Sequence, residues 1–66
     1  MQPKLLTEPA LQALIQRTRA VRVREDRIGA TGFRYVYKTA SGEGIVVTST
    51  ERPGVVRALL LQTCPC

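Results

Sequence analysis

Two hydrophobic periods alternate along this chain, and each change of period marks a predicted element. Leu11, Leu14, Ile15 and Thr18 follow the i, i+3, i+4, i+7 spacing of one helical face. Ahead of them, Thr7 can cap unpaired N–H groups, Glu8 suits the positive end of the helix dipole and Pro9 fits the opening turn. Leu6 before the cap and Leu11 after it are placed for a hydrophobic staple. These features predict a helix over about residues 7–19.

From Ala20 the period becomes two. Val21 and Val23 fall on one side and Arg22 and Arg24 on the other, the pattern of a half-buried strand. The run from Ile28 through Gly29, Ala30 and Thr31 to Gly32 supplies a turn. A second strand over about residues 33–39 sets Phe33, Tyr35 and Tyr37 on one face and Arg34, Val36 and Lys38 on the other. The loop that follows holds Gly42 and Gly44 and is short enough for a hairpin into Ile45, Val46, Val47 and Thr48. The three strands predict an antiparallel meander.

Ser49, Thr50, Glu51, Arg52 and Pro53 repeat the logic of the first helix start. Val55, Val56, Leu59 and Leu60 make i, i+4 pairs on adjoining rows with Arg57 pointing away, which predicts a second helix over about residues 51–63. The expected fold is α+β: a small single domain over residues 1–66, α-β-β-β-α in order, with a three-stranded antiparallel sheet and both helices packed on one face.

Length sets the energetic frame. A chain of 66 residues buries only about 60% of the surface its unfolded form exposes, so its stability should be marginal and a homodimer is a reasonable expectation. An apolar fraction of 44% with 23% charged residues is that of a folded protein and not of a disordered tail. The longest apolar runs, Ile45 to Val47 and Ala58 to Leu61, fall far short of the roughly 18 residues a membrane helix needs. The N-terminal segment has neither the apolar length nor the cleavage pattern of a secretion signal, so a cytoplasmic location is expected.

Charge changes the picture most. Arg17, Arg19, Arg22, Arg24 and Arg27 fall within eleven residues. Residues 17–38 hold six arginines and one lysine against Glu25 and Asp26, a net +5 that equals the charge of the whole chain. Charge confined to one stretch points to a surface that meets something anionic. Arginine offers a forked donor that matches phosphate oxygens, and eight of the ten basic residues are arginine. On the period-two pattern, Arg22, Arg24, Arg34 and Lys38 share the solvent face of neighbouring strands around Val36. Arg17, Arg19 and Arg27 flank them.

Little else carries chemistry. Histidine is absent, which removes the usual general base and the usual activator of a nucleophile, so an enzyme is not expected. Glu25 and Asp26 are adjacent, and a strand would aim them at opposite faces. Neither Gly29 to Gly32 nor Gly42 to Gly44 matches a phosphate-cradling loop with its trailing lysine and helix. Cys64 and Cys66 flank Pro65 at the C-terminus, too close together to staple a core; they read as exposed thiols on a frayed end, open to adventitious oxidation or intermolecular disulfides, with no metal or other cofactor expected.

The run Gly32-Phe33-Arg34-Tyr35-Val36-Tyr37, with its glycine turn, further strand and Thr50-led helix, resembles the small three-stranded DNA-binding modules of phage integrase arms. The resemblance covers about residues 21–62 and implies a sheet laid in the major groove. The α-β-β-β-α order is also similar to double-stranded RNA-binding domains. Their second helix opens with a lysine cluster, where this chain has Thr50-Glu51-Arg52-Pro53-Gly54. Both are analogies of element order and assign no family.

The expected function is therefore a small basic nucleic-acid-binding module, DNA slightly favoured over RNA, contacting phosphates through an arginine-rich sheet face. The alternative is a protein-binding inhibitor or adaptor, of the kind found in phage and mobile elements, docking on an acidic partner surface with arginine and tyrosine anchors.

Overall fold

The computed structural model describes residues 4–65, which form five strands and one helix. In chain order these are β1 (Lys4–Thr7), α1 (Glu8–Thr18), β2 (Val21–Ile28), β3 (Gly32–Lys38), β4 (Gly44–Ser49) and β5 (Val55–Leu61). All five strands belong to one sheet in the order β1-β5-β4-β3-β2, and every neighbouring pair is antiparallel. From β2 to β5 the chain meanders, each strand pairing with the next. β1 adds to the far side of β5, and α1 carries the chain back, so the first two strands in sequence occupy opposite edges.

α1 forms where its apolar spacing places it. Thr7 is extended (φ −76°, ψ 163°) and its hydroxyl accepts the Ala10 N–H at 3.4 Å, while Glu8 and Pro9 occupy the first turn. The helix ends on Arg19 in the left-handed region (φ 54°, ψ 39°), with its N–H turned to the Gln16 and Ile15 carbonyls. Arg19 is the only non-glycine residue of positive φ among the described residues.

The predicted three-stranded sheet with two helices is overturned at both ends of the chain. Residues 51–63 are not a helix: Thr50, Pro53 and Gly54 make a turn, and 55–61 form β5. The Thr50 hydroxyl donates to the Val55 carbonyl at 2.7 Å and accepts the Arg52 N–H at 3.2 Å, while Gly54 sits at φ 77°. A residue in the left-handed region breaks a helix that would have to pass through it. The run Val55-Val56-Arg57-Ala58-Leu59-Leu60-Leu61 carries apolar residues on both faces, Arg57 excepted, and such a run fits helical and extended spacing equally well. At the other end, residues 4–7 pair with β5, so Leu6 reaches the core from a strand instead of stapling the helix.

The core lies between α1 and the sheet. Leu11 of α1, Ala20, Ile45 and Val47 of β4 and Val56 of β5 form one buried cluster, and Ile45 and Val47 have no exposed surface. Leu14, Ile15 and the three aromatic residues of β3 pack against it while keeping some exposure. The opposite face of the sheet carries no helix. The C-terminal segment returns toward that face: the Cys64 N–H donates to the Gly42 carbonyl at 3.0 Å. Gly44 is required there, because a Cβ would lie 2.9 Å from Pro65 Cδ and 3.1 Å from Cys64 Cα. Cys64 is half-buried where an exposed end was expected, and it is disulfide-bonded; Cys66 lies outside the described residues.

Candidate nucleic-acid interface

β2 is an edge strand, and seven of its eight residues are exposed. It pairs with β3 in two registers: Val21 opposes Lys38 and Arg22 opposes Tyr37, but Arg24 opposes Val36. The extra residue is a β-bulge at Val23, a common device at sheet edges. Directly opposed residues share a face, so the bulge sends Arg22 to the α1 side with Tyr37, and Arg24 to the open side with Val36.

The expected patch of Arg22, Arg24, Arg34 and Lys38 on one face is thereby corrected. Arg24, Arg34 and Lys38 share the open face; Arg22 stands on the other, its guanidinium 4.6 Å from the Tyr35 ring centroid. The period-two rule fails by one residue, and a one-residue slip reverses the face. Val36, expected at the exposed centre of the patch, is only 6% exposed. Arg57 joins the open face, opposite Thr48, which is itself opposite Arg34. Reading 55–61 as a helix hid Arg57; in an extended frame it falls in line.

Of the remaining cations Arg19, Arg27 and Lys38 border the same edge, while Arg17 lines a cleft with Leu6, Ala58 and Leu60 on the β1–β5 side. Arg17 lies in the last turn of α1 and Arg19 at its left-handed cap, and the Ala40 N–H donates to the Thr18 carbonyl at 3.2 Å. That bond brings the helix end beside the end of β3, where Lys38 faces Val21. Arg27 opposes Phe33 near the hairpin turn, on the α1 side.

The acidic residues divide as the strand alternation requires. Asp26 is on the open face, where Oδ2 accepts from Arg24 Nε at 3.1 Å and Arg34 Nη2 at 3.2 Å. Glu25 is on the α1 side, with one carboxylate oxygen 4.0 Å from Arg22. Such exposed pairs each contribute about 0–1 kcal/mol. Asp26 tethers both guanidinium groups through one carboxylate oxygen. Arg17, Arg19, Arg27 and Lys38 make no ion pair among the described residues.

On the α1 side, the β3 aromatics form a ladder. Phe33 and Tyr35 stack with centroids 4.7 Å apart and planes 24° apart, and Tyr37 meets Tyr35 edge-on at 6.5 Å. All three are half-buried, so the aromatic face is both part of the core wall and part of the surface. Burial raises the Tyr37 pKa above its usual value and outweighs the opposing pull of Arg22, so the hydroxyl stays neutral at physiological pH.

No known family model, curated protein or solved structure matches this chain. Among the described residues no helix is long and apolar enough to cross a membrane.

Proposed function

We propose that the protein is a small nucleic-acid-binding module that uses the β2 edge as a cationic ridge against the phosphate backbone. One observation carries the reading: six of the ten basic residues lie on the exposed edge strand β2, on its neighbour β3 or at the α1 cap that leads into β2, and three of them, Arg19, Arg27 and Lys38, are uncommitted to a carboxylate. Arg22 and Arg27 lie on one side of the ridge and Arg24, Arg34 and Lys38 on the other. Arg19 extends it past the start of β2. A backbone lying along β2 would be flanked by cations, each displacing a condensed counterion.

Binding should therefore be strongly salt-dependent. With about four phosphate contacts, affinity for a labelled 20-nucleotide oligonucleotide should fall roughly 50-fold (single strand) to 150-fold (duplex) between 50 and 200 mM salt. Fluorescence anisotropy measures this directly. Replacing Arg27 and Lys38 together with Ala should weaken binding to all sequences alike and flatten the salt slope by about two contacts. Absence of binding at 50 mM salt, or binding indifferent to salt, would refute the proposal.

A second reading, a protein-binding adaptor, is favoured by the apolar residues of the open face. Leu5, 61% exposed, lies opposite Arg57, and Ile28, 45% exposed, lies at the same end of the sheet near Arg34, while Val21, also 61% exposed, lies at the other end opposite Lys38. A defined protein retained from native lysate after nuclease treatment would support it, and its loss with nuclease would support the nucleic-acid reading.

A further inference from the structure

The cationic ridge says nothing about bases, yet one part of it is unsuited to phosphate. Beside the Phe33–Tyr35 stack, near the β2–β3 turn, lies a cleft of about 540 Å³ bounded by Glu25, Asp26, Arg27, Gly32 and the two rings. Resting on the nucleic-acid reading above, we propose that this cleft takes one unpaired base, stacked on the outer face of Phe33 with its donor edge turned to Glu25.

The rings cover one face of each other and the Arg22 guanidinium lies over the second face of Tyr35, so the outer face of Phe33, backed by Tyr35 and packed on the core, is the stacking surface left for a base. A base inside a duplex cannot reach such a ring, because its faces are covered by its neighbours, so an aromatic platform selects unpaired strands. The polar lining reinforces the choice. Carboxylates repel phosphate but accept from base N–H groups, while Arg27 at the rim has no ion pair to give up among the described residues.

Of the two acids, Asp26 is engaged by Arg24 and Arg34. Glu25 is the available acceptor: its side chain is 62% exposed and its one ion pair is stretched to 4.0 Å. It also opposes Tyr35 in the β2–β3 register, which sets its carboxylate on the ring side of the sheet. A carboxylate with two oxygens is best matched by two adjacent donors. Guanine, with N1–H and its exocyclic amino group, is the base that presents them.

The test uses the intact chain and four eleven-nucleotide strands at 50 mM salt: oligothymidylate, the same strand with a central guanine or hypoxanthine, and a strand that is abasic throughout. The expected order is guanine about 10-fold tighter than thymine, hypoxanthine between them and the abasic strand weakest. Glu25→Gln should remove the guanine preference without weakening oligothymidylate binding. Phe33→Leu, which keeps apolar bulk and removes the ring, should lower affinity for the guanine strand about 10-fold but not for the abasic one. Equal, salt-dependent binding of all four strands would overturn the base site and leave the phosphate reading standing. No binding of any strand would overturn both.

Discussion

Ile45→Ala should leave much of the chain unfolded at 37 °C. Ile45 has no exposed surface and sits on the central strand β4, beneath α1 and between Tyr37 of β3 and Leu60 of β5. Removing a buried isoleucine down to its Cβ costs about 2–5 kcal/mol, the lost transfer energy plus the cavity that remains. A domain of this length has roughly 3–10 kcal/mol in all. The loss is therefore comparable to the total. Urea denaturation followed by far-ultraviolet circular dichroism measures it, with Leu5→Ala on the exposed edge strand β1 as the control, expected to shift stability by about 0.5 kcal/mol or less. Equal effects at the two positions would contradict a core centred on β4.

Gly32→Ala should cost nearly as much, for a different reason. A Cβ at Gly32 would run into the backbone carbonyl oxygen of Ile28, across the tight turn that joins β2 to β3, and would come within 3.2 Å of Ser49 Oγ. A flexible side chain could yield, but a strand carbonyl cannot move without disturbing the hairpin. Ser49 Oγ also accepts the Phe33 N–H at 3.0 Å, so the strain reaches the end of β4. Overpacking of this kind costs about 1–3 kcal/mol. Amide exchange should show faster opening of β2 and β3 than of β4 and β5. Unchanged protection throughout the hairpin would contradict the Ile28–Gly32 register.

The sequence made α1 and the three strands of the meander legible because each has a single buried face. Leu11, Leu14 and Ile15 can satisfy only a helix there, and the Phe33, Tyr35, Tyr37 alternation only a strand. β5 was not legible for the converse reason. An interior strand with apolar residues on both sides loses the alternation that distinguishes it from a helix, and Thr50 and Pro53 look alike at a helix start and in a turn. The deciding residue is Gly54 at φ 77°. With the second helix gone, the order is β-α-β-β-β-β, and the likeness to integrase arms and double-stranded RNA-binding domains, both of which rest on that helix, is withdrawn.

The candidate site was legible in composition but not in geometry. Arg22, Arg24 and Arg27 lie on one edge strand while Arg17 turns to the β1–β5 side, and Glu25 and Asp26 do point apart. The bulge at Val23 is what moved Arg22 from the open face to the aromatic one, since a single extra residue in one strand leaves no mark on hydrophobic spacing. The consequence is a change of shape in the proposed interface, from a flat charged face to a ridge charged on both flanks.

That ridge is tested most directly by following the backbone amides of ¹⁵N-labelled protein during titration with a single-stranded oligonucleotide at 50 mM salt. The expected result is that the largest shifts fall within residues 17–38, on both sides of β2, while β1 moves little and β5 responds only near Arg57. Shifts concentrated on β1 and β5, with β2 unmoved, would contradict it.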